Sequence, residues 1–396
     1  MTRFRPKDAR ELAQLVTWAG AEGEALEVIA AGTKRGLGRP VEAPHQLDAT
    51  AFAGIKSYEP EELVLTAGPA TPIAEIARIL ADAQQMLPFE PGDWAPLYGG
   101  AAGKQTLGGV LACNVAGPRR PKQGSARDHL LGFHAVSGRG EAFKAGGRVV
   151  KNVTGYDLSK LMCGSFGTLA VLTEVTIKVL PAPEATLTLM LPGLDDEAAV
   201  AAMTRALNGP HDIGGAAHLP AGFAGNDRAA TLLRLEGPGP SVEARAAALR
   251  RELADVAAAE AWSGTAATQP WRALADLTAF AGDQAQAVWR VSVPPQAGPA
   301  IAAAARRLGA RYCYDWGGGL LWLAASGAGD AGAAALRGAL AECGGHATLI
   351  RASAALRAEI PIFEPQPPAL AALGQRIKES FDPRHILNPG RMYRGL

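Results

Sequence analysis

The chain reads as an α+β protein in which a glycine-punctuated, strand-rich part is followed by an alanine-rich part built on an antiparallel sheet. Three observations carry that reading. At 396 residues the chain is longer than one compact core usually fills, so two or three domains are expected. The strand-like pieces HQLDAT, GIKSYEP and EELVLTAG, within residues 45–68, stand together before a single helix, TPIAEIARILADAQQM; this grouping suits α+β better than strict βαβ alternation. From about residue 183 to about 350 the helical patterns DEAAVAAMTRALN, SVEARAAALRRELADV and PAIAAAARRLGA are separated by the strands TLLRLEG, AVWRVSVP and LLWLAA. Turns such as GPGP and SGAGDAG punctuate them, which suggests an antiparallel sheet with helices on one face.

Taken in order, DARELAQLVTWAG after Pro6 is an amphipathic helix with Leu12, Leu15, Val16 and Ala19 on one face and Gly20 or Gly23 at its end. LEVIA is a short buried strand that runs into AAGTKRGLG, residues 30–38. A strand that delivers its end to such a loop offers backbone donors from Gly32 to Gly36, the Thr33 hydroxyl, and the cations Lys34 and Arg35. That is either a cradle for a pyrophosphate or a basic surface turn. In the helix that follows, Thr71 is expected at the N-cap and Pro72 at the first helical position, with Ile73, Ile76, Ile79 and Leu80 as its core stripe. The loop LPFEPGDWAPLYGG, residues 87–100, supplies a Pro91-Gly92 turn and two aromatics, Trp94 and Tyr98, which either pack as a lid or flank a ring system.

Residues 104–180 organise the rest. Glycines fall at turns between short β-branched runs, so the backbone is brought close to something and then returned to a sheet. Three pieces stand out: Thr106, Leu107, Gly108 and Gly109 with Asn114 and Gly117; KNVTGYDL from Lys151; and GSFGTLAVL from Gly164, with Gly167, Thr168 and Val171. Each offers free N–H groups beside side-chain amides or hydroxyls, the equipment of an anion site or of an ordinary tight turn. Asn114 lies on an apolar run and needs a partner if buried, met either by a ligand oxygen or by a structural turn.

With a formal net charge of +1, nothing suggests a surface built for nucleic acid or anionic lipid, so any anion is expected to be bound locally. Four cysteines lie far apart without a CxxC pair, so no zinc or iron–sulfur site is written into the sequence, and a reducing cytoplasm fits best. No apolar run is long enough for a signal peptide or a transmembrane segment, although attachment to the inner membrane through a complex stays open.

The order TLGGxLAxNxAGPRR, RDxxLGxxxV, KNVTGYDLxKLxxGSFGTLAVLTExT and FDPRHILNPGR resembles the PCMH-type flavin domain of the vanillyl-alcohol oxidase class, and within it the FAD-binding E subunits of glycolate oxidase. The resemblance implies two α+β subdomains holding FAD over residues 1–182. It further implies a cap over 183–350 and a segment, 351–396, returning to the flavin domain. It places the pyrophosphate loop at Gly32–Gly36, a turn beside the cofactor at Pro91 and Gly92, and Lys151, Asn152 and Tyr156 nearest the ring, with Asn388 and Arg391 close by. Neither the 30–38 loop nor its edge offers a His or Cys that could tether the ring, so noncovalent binding is expected.

Relatives of this class that oxidise hydroxy acids carry cap motifs such as GDGNxHxN and EHGxG. Both are absent here: His211, His218 and His346 stand alone, no general base is identifiable and no metal is expected. The resemblance therefore implies a subunit acting on glycolate or a related small 2-hydroxy acid beside a second, histidine-equipped FAD subunit and an iron–sulfur subunit. A self-sufficient FAD-dependent dehydrogenase and a scaffold without cofactor are the alternatives.

Overall fold

The structure is a computed structural model that describes residues 1–148 and 155–396. The amino-terminal part opens with the expected helix, Ala9–Glu22. The Asp8 carboxylate accepts from the Arg10 and Glu11 amides, and Gly23 closes the helix at φ +73°. Its buried Leu12, Val16 and Ala19 pack on a parallel three-stranded sheet in the order Thr2–Phe4, His45–Asp48, Leu26–Ile29. The chain terminus completes this small core: Leu26 N–H donates to the Ile386 carbonyl, and Asn388 N–H donates to that of Leu26.

A five-stranded antiparallel sheet follows, ordered Ile55–Glu59, Val64–Ala67, Ala170–Lys178, Leu130–Ser137, Ala142–Gly146. The helix Ile73–Asp82 packs Ile73, Ile76 and Leu80 into its core. Its N-cap is Pro72 and not Thr71. The Thr71 hydroxyl is withdrawn into the turn, donating to the Gly68 carbonyl and accepting from the Gly54 amide.

The remaining sheet is eight-stranded and antiparallel, in the order Glu260–Trp262, Ala185–Pro192, Ala230–Gly237, Ile213–Leu219, Arg311–Asp315, Leu320–Ala325, Ala287–Ser292, His346–Arg351. Helices Asp196–Asn208, Gly239–Glu252, Gly298–Arg307 and Ala333–Cys343 cover one face through Val200, Met203, Val242, Leu249, Ile301 and Leu336. The opposite face, with Val288, Trp322 and Ile350, shares a core with the five-stranded sheet. Strand alternation therefore splits the Ala287–Ser292 strand: Trp289 and Val291 join the helical core, and Val288 faces the first domain.

Two charged clusters fix the parts to one another. Arg119 bonds Glu90 at 2.9 Å and Glu236 at 2.6 Å, and Arg234 bonds Glu90 at 2.8 Å, all where the loops carrying Glu90 and Arg119 meet the eight-stranded sheet. Near the terminus, buried Lys378 donates to the Thr168 carbonyl at 2.7 Å and to Asp382 at 2.7 Å, while Asp382 caps the Ile386 and Leu387 amides. The last helix, Pro368–Phe381, is only partly covered. Leu370 and Leu373 on its first turns are exposed, at 48% and 44%, and only its second half is anchored, through Lys378.

Candidate cofactor-binding site

The end of strand Leu26–Ile29, the turn before helix Leu107–Cys113 and the turn before strand Ala170–Lys178 meet around one cleft, which holds about 960 Å³ of atom-free space open to solvent. Gly32 enters it at φ +71°. This turn leaves the amides of Ala31, Gly32, Thr33 and Lys34 without an acceptor among the described residues, whereas the Arg35 and Leu37 amides close back on Gly32 and Lys34. A run of unpaired N–H groups at a left-handed turn is an anion nest, and nothing among the described residues satisfies it. Thr106 caps helix Leu107–Cys113 by accepting from the Gly109 amide at 3.3 Å, and Gly108 and Gly109 form the opposite wall. A Cβ on Gly108 would lie 2.7 Å from Pro69, so only glycine keeps the helix start this close to the turn at residues 69–70.

The carboxy-terminal residues floor the cleft. The Asn388 side chain ties two walls together, its Oδ1 accepting from the Val28 amide at 2.8 Å and its Nδ2 donating to the Phe166 carbonyl at 2.8 Å. Arg391 donates to the Lys34 carbonyl at 2.9 Å, and its Nε is buried without a partner among the described residues. Burial pulls the Lys34 ammonium below the usual lysine range, against the opposing pull of Cys113 and Asp93, and burial pulls Arg391 down as well. No carboxylate or histidine lines this cleft among the described residues.

Of the residues singled out from sequence, Gly32, Thr33, Lys34, Arg35, Thr106, Gly108, Gly109, Gly167, Val171, Asn388 and Arg391 line the cleft together. The charges of the glycine loop are not free, as its composition had suggested. Lys34 Nζ donates to Gln105 at 3.0 Å, and Arg35 forms a two-pronged pair with Glu27 at 2.7 Å. The nest itself, and not these cations, supplies the loop's donors.

Other expected residues lie elsewhere. Gly36 faces the Tyr98 ring, where a Cβ would come within 2.4 Å. Leu107 is fully buried in the core, and Thr168 is buried with its hydroxyl donating to the Ser165 carbonyl. Gly92 abuts the Ala275 carbonyl, the Gly117 carbonyl accepts from Trp316 Nε1 at 3.1 Å, and Pro91 lines a hollow at the cap joint, so all three serve the contact between domains. Tyr156 is 95% exposed and borders a different hollow. Asn114 ends its helix at φ +48°, and its Oδ1 accepts from the Arg127 amide at 3.0 Å, which is the structural-turn alternative. Lys151 and Asn152 lie outside the described residues. Trp94 packs as a lid, donating to the Ala275 carbonyl at 3.0 Å.

Sequence reasoning missed Pro69, Ala70, Ala112, Cys113, Met162 and Phe166 as wall residues. A signal existed for the first two, because a Gly-Pro pair directly after a strand forces the chain to turn at the sheet end. Cys113 and Phe166 also border a second, interdomain cavity between this cleft and the cap sheet.

The FAD binding domain family matches residues 3–146, and the C-terminal domain family of FAD linked oxidases matches residues 364–392. The glycolate oxidase subunit GlcE of Escherichia coli (strain K12) is 36% identical over 388 residues, covering 98% of either chain. A D-2-hydroxyglutarate dehydrogenase of Xanthomonas citri is 31% identical over 195 residues, 48% of this chain and 39% of that one. Among solved structures, 4-ethylphenol oxidase from Gulosibacter chungangensis superposes with a TM-score of 0.72 at 14% identity, over 99% of this chain and 89% of that one, which places the fold alone. The near end-to-end match, with the amide nest and its opposing glycine wall in the matched region, makes the chain a member of the glycolate oxidase subunit GlcE family of FAD-linked oxidoreductases.

Proposed function

We propose that this chain is the FAD-binding subunit of a multi-subunit oxidoreductase that oxidises glycolate or a related small 2-hydroxy acid, working with a second flavoprotein subunit and an iron–sulfur subunit. One observation carries the reading: the unpaired amides of residues 31–34 open onto the same cleft as Gly108, Gly109 and Gly167. These groups fit a dinucleotide, with the nest taking the pyrophosphate oxygens and the glycine walls admitting a flat or extended body. FAD, when bound, supplies a hydride acceptor that can release electrons one at a time.

The chain's own residues hold and orient that group. Asn388 fixes the separation of the two walls, Arg391 braces the Lys34 carbonyl, and the buried Lys34 and Arg391 give the cleft a positive lining that favours negative charge. Among the described residues no carboxylate or histidine lines the cleft to accept the substrate hydroxyl proton, which supports a partner subunit for that step. The name of the E. coli relative, a subunit, supports assembly. No helix among the described residues is long and apolar enough to cross a membrane, in keeping with the proposal of a cytoplasmic protein held at the inner membrane only through its complex.

The test is reconstitution of the purified chain with FAD, read by absorption and by flavin fluorescence quenching. Stoichiometric uptake, together with co-purification of flavoprotein and iron–sulfur partners, is expected. Absence of flavin uptake at saturating FAD overturns the reading, and glycolate oxidation by the isolated chain with an artificial acceptor would replace it with a self-sufficient dehydrogenase.

A further inference from the structure

The amide nest is also held from the cap side. Its loop leaves the cleft through Gly38 and Arg39 and there meets a short helix, Ala354–Glu359, which follows directly on the edge strand His346–Arg351 of the eight-stranded sheet. Leu356 of this helix belongs to the core under the cap helices. The two segments clasp each other. Buried Arg357 donates to the Gly38 carbonyl at 2.7 Å, and Arg39 in return donates to the Ala358 carbonyl. The Arg39 amide donates to the Arg391 carbonyl at 2.8 Å, and Arg391 reaches back to the Lys34 carbonyl in the nest. Just before the clasp, Gly36 lies against the Tyr98 ring, whose hydroxyl donates to the Ile350 carbonyl at 2.9 Å on the same edge strand. Direct hydrogen bonds and a bridge through Tyr98 thus join the loop's exit to the last strand and helix of the cap, although Arg357 itself does not line the cleft.

The charges point the same way. Arg39, Arg357 and Arg391 bond carbonyls and no carboxylate among the described residues. Burial pulls the Arg357 guanidinium down, and the nearby Arg391 pushes in the same direction. A carbonyl partner satisfies a donor without neutralising its charge, so positive charge is left beside the nest, where a weakly screened interior makes it attractive to an anion.

We propose that Arg357 is a positioning residue for the dinucleotide: acting through the Gly38 carbonyl, it holds the nest from the cap side, so that filling the nest and seating the helix Ala354–Glu359 are coupled. The dinucleotide as ligand rests on the flavin reading above; the clasp does not. Without Arg357 the loop's exit is released, and a ligand has to order it on binding. Ordering about one backbone residue corresponds to about a 5- to 30-fold loss of affinity. Coupling of this kind is reciprocal, so a bound ligand in turn protects the helix.

The experiment is equilibrium titration of FAD, and of ADP as a probe that shares its pyrophosphate, into the chain and its Arg357→Met, Arg357→Lys and Arg245→Met variants. Hydrogen exchange over residues 353–360 is measured with and without ligand. Arg245 is the control, a cap arginine that likewise holds carbonyls, those of His211 and Glu236 at 2.9 and 2.8 Å, and does not line the cleft. Arg357→Met should weaken both ligands about 5- to 30-fold, and Arg357→Lys should recover part of the loss, because an ammonium keeps the charge and can still serve one carbonyl. Arg245→Met should lower the melting temperature and leave both affinities as in the parent. Ligand should slow exchange over 353–360 in the parent and not in Arg357→Met. Parent-like affinity in Arg357→Met, an equal loss in Arg245→Met, no recovery by Arg357→Lys, or no ligand-dependent protection of 353–360 in the parent overturns the proposal. If FAD binds the parent while Arg357→Met changes nothing, the flavin reading stands alone. A chain that takes up no FAD yet binds ADP through Arg357 sustains the positioning role and refutes the flavin reading, and a chain that binds neither overturns both.

Discussion

Replacing Gly32 by Ala tests the anion nest directly. Gly32 stands at φ +71°, and an added Cβ would meet the Arg35 Cδ at 3.4 Å, an ordinary contact with a flexible chain. Steric overlap is therefore not the penalty. What remains is the cost of holding an L-residue in the left-handed region, about 1–2 kcal/mol. The amides of residues 31–34 have no acceptor among the described residues, so in the flavin-free protein the Gly32 end of the loop can relax from that conformation and shed part of the strain. Binding the dinucleotide restores it. The cost then falls on the cofactor, and FAD affinity should weaken by about 5- to 30-fold.

Gly309→Ala is the control. Gly309 has φ +63° with nothing within 4 Å, at the end of a cap helix remote from the cleft. It should lose melting temperature with and without FAD and leave affinity unchanged. The assay is equilibrium FAD titration by fluorescence, with thermal melts of loaded and unloaded protein. An FAD affinity for Gly32→Ala within twofold of the parent would show that the turn is held by the fold, and the nest argument would fail.

Three other outcomes are expected. Arg119→Met leaves Glu90 and Glu236 partly uncompensated at the joint between domains and should cost about 3–5 kcal/mol in denaturant melts; adding Glu236→Gln to it should recover part of the loss. The buried pair Lys378 and Asp382 behaves in the same way, with Lys378→Met costing about 3–5 kcal/mol and freeing the terminal segment to proteolysis. Stability should also change with pH in two opposed steps. Burial pulls His218 from 6.5 to about 4, so the unfolded chain binds the proton more readily, and stability on the order of 3 kcal/mol is lost as pH falls through that window. Burial pushes the Asp315 carboxyl from 3.8 to about 7, so its contribution is lost as pH rises through that range. His218→Gln should accordingly flatten the acid limb of a melting-temperature profile. Asp315→Asn, which still accepts from the Trp316 amide, should raise the melting temperature at pH 8 more than at pH 5, and equal effects at both would contradict the assignment.

Much of the local structure was legible because its causes are local. Asp8 and Gly23 bracket the first helix, the alanine-rich helices of the cap carry their 3.6-residue pattern, and a glycine-rich loop after LEVI requires a left-handed turn; each depends on residues a few positions apart. The three cleft-lining turns were visible for the same reason. The strand IGGAAHL, with its paired glycines, and the helix GTAATQPWRALA, with Pro270 inside, were not among the elements expected, since tertiary packing there overrides weak propensity. The apolar start of helix Pro368–Phe381 misleads in the opposite sense, because its pattern asks for a cover that the chain does not bring to Leu370 or Leu373.

What the amino-acid order determined by itself was which loops can turn sharply and offer bare amides, since backbone dihedrals answer to the residue in place and its immediate neighbours. Only the tertiary structure decided which of those loops meet. It sent Gly92 and Gly117 to the domain joint instead of the cleft, and tied Arg35 to Glu27 and Lys34 to Gln105. The physical reason is that charge pairing and close approach depend on distances between segments far apart in the chain, and those distances exist only once the sheets have packed.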